Sequence, residues 1–163
     1  MKGKGLLNKN KHSVTKWISI LYRYGQSHIS KQLSSYNIGS GQYIFLIALY
    51  KRDGISQEEL SGHLKIEKAT TAKAINRLEK EGYIKREINS SDKRAYKIFL
   101  TQKALDVKPV IFKLLKEWSD FLMSGFTDDE KKIIFNLLER MANNAFASFE
   151  KNDKAKNKDT KDS

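Results

Sequence analysis

Lys73 and Arg77 stand four residues apart in a stretch that reads as one helix, so their side chains leave the same face. On a helical wheel of residues 68 to 81, Ala69, Thr70, Asn76 and Lys80 share that face, and Lys68 is counted with them at its start. The face is short-chained where the helix begins and basic in its middle, with no acid before Glu79 and Glu81. A guanidinium can bond a guanine edge in bidentate fashion, and an ammonium meets phosphate as a point charge. The Thr70 hydroxyl and the Asn76 amide can reach a phosphate or a base edge. This chemistry recognises a polyanion and makes or breaks no covalent bond. The alternative for each of these residues is a solvated helix face, the common fate of lysine and arginine.

Composition points the same way. The 163 residues carry 31 Lys+Arg against 19 Asp+Glu, a formal net charge of +12, which favours nucleic acid or an acidic membrane surface as partner. Cysteine is absent, which excludes disulfides, thiol redox sensing and thiolate metal sites. His12, His28 and His63 do not have metal-ligand spacing, so no metal is expected. There is no glycine-rich phosphate loop, nucleophile elbow or metal-binding helix motif, so neither an enzyme nor a cofactor is expected. The basic start lacks the apolar run of a secretory signal, and no stretch approaches the roughly 18 apolar residues of a membrane span. The cytoplasm is the fitting compartment.

The elements that must hold the basic face can be read in order. Residues 1 to 37 form an N-terminal arm and an amphipathic helix starting near Ser13, with Trp17, Leu21, Tyr24 and His28 at helical spacing. Tyr43 to Tyr50 is apolar all round; periodicity leaves buried strand and buried helix open, and the Ala-Leu ending favours helix. Ser56-Gln57-Glu58-Glu59 is a capping box opening a short helix with Leu60 and Leu64 inward. After a turn at Lys65-Ile66, Thr71, Ala74, Ile75 and Leu78 form the buried side of the second helix, which Gly82 ends. Residues 83 to 88 and 96 to 100 are strand-like, joined by the turn chemistry of Asn89 to Asp92 and the charged tip Lys93-Arg94. Thr101 caps a long helix containing Pro109, and a second capping box at Thr127 opens another with an apolar stripe from Ile133 to Ala145. From Glu150 the chain lacks apolar anchors, and the tail 150–163 is expected to be disordered.

The middle of this chain resembles the MarR family of winged-helix transcriptional regulators. The resemblance is carried by the Ser56-to-Leu64 helix, Thr70-Thr71-Ala72-Lys73, Asn76-Arg77-Leu78-Glu79, Glu81-Gly82-Tyr83-Ile84-Lys85-Arg86, Asp92-Lys93-Arg94 and Leu100-Thr101. It implies a mainly α protein with a small β-hairpin wing: a winged helix-turn-helix lobe at 38–101, with helix-turn-helix about 56–81 and wing 83–100. Dimerisation helices would flank it before residue 38 and at 102–149. It implies a homodimer on a pseudo-palindromic double-stranded DNA operator, with a small aromatic or phenolic effector releasing the DNA in many members. The DNA-binding residues it marks are Lys68, Ala69, Thr70, Ala72, Lys73, Asn76, Arg77, Lys93 and Arg94. Arg94 would enter the minor groove and Lys93 touch phosphate. Asp92 would stabilise the wing by pairing with an arginine, Arg86 being the candidate. Ala72 stands where the family often has a hydroxyl that reaches DNA. Trp17, Tyr22, Tyr24, Tyr43, Tyr50 and Trp118 could line an effector pocket, although core and dimer packing is the simpler use of such rings. A winged-helix module that binds protein instead of DNA is the alternative function; such modules usually lack a basic recognition face.

Overall fold

The computed structural model describes residues 13–88 and 96–159, the side chains of 149–159 excepted. The chain falls into two compact units, Met1–Trp118 and Ser119–Ser163.

The first unit opens with α1 (Val14–Leu33), capped by the Ser13 side chain, which accepts from the Lys16 N–H. A single 3-10 turn, Ser34–Tyr36, leads to α2 (Tyr43–Lys51). The ambiguous apolar run is therefore a helix. Phe45, Leu46, Ala48 and Leu49 are buried on it, and Ile44 and Ile47 pack against the same core. The two-residue strand β1 (Ile55–Ser56) precedes α3 (Gln57–Leu64) and α4 (Lys68–Lys80). Strands β2 (Ile84–Ile88) and β3 (Tyr96–Leu100) follow, and the sheet order is β1-β3-β2, antiparallel throughout. The expected two-stranded wing is thus a three-stranded sheet. β1 is too short to leave a period-2 pattern, and its pairing of Ile55 with Ile98 and of Ser56 with Lys97 reveals it.

The core is continuous across the boundaries expected at residues 37/38 and 101/102. Ile29 and Leu33 of α1 and Ala104, Val107 and Ile111 of α5 (Gln102–Leu122) are buried with Leu60, Ile75, Leu78, Tyr83 and Ile98. A lobe of about 60 residues buries a smaller share of its surface than a larger domain does, and the flanking helices supply the missing apolar cover. Two long-range bonds fasten them. The Tyr83 hydroxyl donates to the Tyr36 carbonyl at 2.6 Å, and the Tyr50 hydroxyl donates to the Ala104 carbonyl at 2.6 Å. Burial, chiefly, pushes the Tyr50 hydroxyl up to about 12, so it remains a donor throughout the neutral range.

The capping box forms as read. Ser56 Oγ accepts from the Glu59 N–H at 3.1 Å, and Glu59 Oε2 accepts from the Ser56 N–H at 2.8 Å. That backbone bond is the first cause holding the Glu59 carboxyl below the usual carboxylate range. With its pKa depressed in the folded state, this half of the box is in place above the ordinary carboxylate pKa and is lost as pH falls through the folded value. Ser56→Ala is expected to lower stability by about 1 kcal/mol, read from urea unfolding followed by circular dichroism. An unchanged midpoint would show that this cap contributes nothing.

In the second unit, α6 (Asp128–Asp159) continues nine residues past the Glu150 at which disorder was expected. No glycine or proline interrupts its sequence. Local propensity therefore extends the helix where apolar anchors are missing. Residues 160–163 lie outside the described residues.

Candidate nucleic-acid interface

The turn between α3 and α4 sets the angle of the basic helix. Lys65 caps α3 in the left-handed region with φ 53°, and the Ser61 hydroxyl, buried, donates to the Ile66 carbonyl at 2.6 Å. On α4, Thr71, Ala74, Ile75 and Leu78 are buried as the wheel predicts. Lys68, Ala69, Thr70, Lys73, Asn76, Arg77 and Lys80 are exposed, and Ala72 is half-buried at the edge of that face. No side chain caps α4, because its N-cap is Glu67 without a cap bond. The first-turn N–H groups at the positive end of the helix dipole thus lack a side-chain cap beside the exposed Lys68, Ala69 and Thr70. Lys73, Asn76, Arg77, Lys80 and Glu81 line an open groove of about 520 Å³ along the outward face.

The cations of this surface fall into two groups. Lys68 is paired, its Nζ lying 2.5 Å from Glu58 Oε1, and that bond is the first cause lowering the Glu58 carboxyl. Arg86 is also paired, with Nη1 2.7 Å from Glu79 Oε2 and Nη2 donating to Asn76 Oδ1 at 2.6 Å. By contrast, among the described residues no ion pair includes Lys73, Arg77 or Lys80. No described carboxylate holds them, so theirs is the charge a phosphate backbone would meet.

Arg86, the candidate partner of Asp92, is tied among the described residues to Glu79 and Asn76, and so joins β2 to α4. Ile84, Arg86 and Ile88 lie on one face of β2 by strand alternation, and Glu79 and Asn76 lie one helical turn apart. A single guanidinium fork therefore reaches both. The Glu79–Arg86 spacing crosses a helix end and a glycine, so no helical rule applied to the sequence alone would find it. Asp92, Lys93 and Arg94 lie outside the described residues. Of the aromatic residues proposed for a pocket, Trp17, Tyr22 and Tyr24 are exposed on α1, Tyr43 is buried and Tyr50 is half-buried. Trp118 stacks on His28 with ring centroids 5.0 Å apart. A separate crevice of about 240 Å³ is lined by Ser30, Ser34, Asn37, Ile38, Gly39 and Arg77. No group of His, Asp or Glu suited to a metal ion occurs among the described residues, and none of the described helices is long and apolar enough to cross a membrane.

Known proteins share this architecture. The MarR family model matches residues 38–96. The HTH-type transcriptional regulator YybA of Bacillus subtilis is 30% identical over 133 residues, 82% of this chain and 89% of that protein. A MarR transcriptional regulator from Methanosarcina mazei Go1, known by its crystal structure, is 47% identical with a TM-score of 0.78, covering 82% of this chain and 96% of that one. A MarR family regulator from Listeria monocytogenes, determined in complex with a 26mer DNA, is 28% identical with a TM-score of 0.76, covering 81% and 88%.

Proposed function

The chain belongs to the MarR family of transcriptional regulators and is a DNA-binding regulator, not an enzyme; from that premise we propose that it acts as a homodimeric repressor on a pseudo-palindromic operator. The observation that carries the reading is the row Lys73, Arg77 and Lys80, in no ion pair among the described residues, on the exposed side of a helix whose opposite side is the core. Two such helices about a two-fold axis would enter successive major grooves roughly 34–36 Å apart. Lys73 and Arg77 are the base-edge and phosphate contacts, and Thr70 and Asn76 assist them. Lys93 and Arg94 extend the contact to the minor groove from the wing tip, with Asp92 ordering that tip. Lys68 would exchange Glu58 for phosphate.

Each unit offers apolar surface to a second copy. Trp17, Ile18, Leu21 and Tyr22 are exposed along α1, and Ile133, Phe135, Leu137 and Leu138 along α6. Exposed apolar surface on this scale marks an interaction site. A small aromatic carboxylate is the effector we propose, held in the crevice that Arg77 lines with Ser30 and Asn37. Arg77 lines both that crevice and the outward groove, so an anion drawn to its guanidinium would compete with DNA. The differential affinity needed to shift the operator-bound population is a few kcal/mol.

The primary test is selection of duplex DNA from a random pool with the full-length protein, followed by titration across salt concentrations. A palindromic motif should emerge, and log affinity should fall linearly with log salt at a slope of about −0.9 for each phosphate contacted. A flat salt response, or no enriched motif, would remove the reading.

A further inference from the structure

We infer that Asn76 meets DNA as a hydrogen-bond donor only, because Arg86 holds its amide oxygen, and that Arg86 is thereby a positioning residue for base selection. The inference rests on the DNA-binding reading above and deepens it to the chemistry of one contact.

The bond from Arg86 Nη2 to Asn76 Oδ1 is 2.6 Å long, and the same guanidinium is braced by Glu79 at 2.7 Å. A guanidinium carries five donors and no acceptor, so the side of the amide turned toward it must be the oxygen. The planar amide then presents its –NH2 away from Arg86. Asn76 is exposed and lines the outward groove with Lys73 and Arg77, so both donors are offered where a duplex would lie. Glu79 matters as well. Its carboxylate makes the fork charge-assisted, which shortens and strengthens it, and it restrains Arg86 from turning to phosphate.

An asparagine in the major groove ordinarily suits adenine, accepting from N6 and donating to N7 at once. That pairing needs the amide oxygen. Arg86 takes one lone pair of Oδ1 and turns the oxygen toward β2, so an adenine amino group seeking the second lone pair would meet the guanidinium's own donors and positive charge. The groups that fit the exposed –NH2 are acceptors: guanine N7 and O6, thymine O4, or a phosphate oxygen. Asn76 would therefore fail to select adenine, although its residue type usually does.

The experiment uses full-length protein and the duplex that wild type enriches from a random pool. Asn76→Asp keeps an acceptor for Arg86 but replaces the donor with a carboxylate, so it should bind about tenfold more weakly than Asn76→Ala. Replacing each adenine of the motif by purine, which lacks the 6-amino group, should affect wild type and Asn76→Ala equally. Arg86→Ala returns the oxygen to the groove, so its enriched motif should gain adenine at one position per half-site. Arg86→Lys, a second variant in case Arg86→Ala unfolds, should shift the motif in the same direction. A purely structural Arg86 would change stability and leave the motif alone. The inference is overturned if Asn76→Asp binds as wild type does, if one purine replacement weakens wild type but not Asn76→Ala, or if folded Arg86 variants enrich the wild-type motif. Should wild type enrich no duplex at all, the DNA-binding reading fails first and the inference falls with it.

Discussion

Arg77→Ala is expected to reduce affinity for the enriched duplex about ten- to a hundred-fold while leaving the thermal midpoint unchanged. The binding half of this expectation follows from where the charge sits. Arg77 is exposed on α4, four residues from Lys73, and among the described residues no carboxylate neutralises it. A bidentate arginine–guanine contact supplies about 1–3 kcal/mol of discrimination, which is the stated range in affinity. The stability half follows from what the side chain lacks. It fills no core volume, and exposed substitutions away from caps and networks usually change stability by no more than about 0.5 kcal/mol. Lys73→Ala should weaken binding to all sequences alike and lower the salt slope by about one contact. Binding should be measured by fluorescence anisotropy and folding by circular dichroism on the same samples. If Arg77→Ala bound the duplex as tightly as wild type, the outward face of α4 would not be the reading surface.

Leu78→Ala, one residue away, is expected to do the reverse. Leu78 is 0% exposed, and its neighbours in the core include Ile75, Tyr83 and Ile98. Truncating a buried leucine removes transfer free energy and leaves a cavity, at a cost of about 2–5 kcal/mol. Against a total stability of about 5–15 kcal/mol this is a large fraction. The site also lacks freedom to collapse. The Leu78 carbonyl accepts from the Tyr83 N–H at 2.9 Å, closing the helix end around Gly82 at φ +75°, and Tyr83 is in turn tied to Tyr36. Urea unfolding should show the loss directly. The protein that remains folded should still bind the duplex with near-normal affinity, since no outward side chain has changed. A loss below about 1 kcal/mol would mean that the inward face of α4 is not the core it appears from its packing. The adjacent positions 77 and 78 thus separate function from folding on one helix.

The sequence alone determined whatever depends on spacing along the chain. A helix repeats every 3.6 residues, so the division of α4 into a buried Thr71, Ala74, Ile75 and Leu78 side and a basic side was legible without coordinates, as were both capping boxes and the turn at Gly82. The basic middle of that face was legible in kind, since Lys73 has no acid at helical spacing and the face carries none before Glu79 and Glu81. The tertiary structure decided whatever depends on which segments return to one another. The helical state of Tyr43–Lys51, the existence of β1 and the reach of the core into α1 and α5 are set by burial against distant residues, which periodicity does not encode. The same holds for the partner of Arg86. A strand folded back across a helix brings its guanidinium to Asn76 and Glu79, and with that bond the fold selects which half of an amide a duplex would meet.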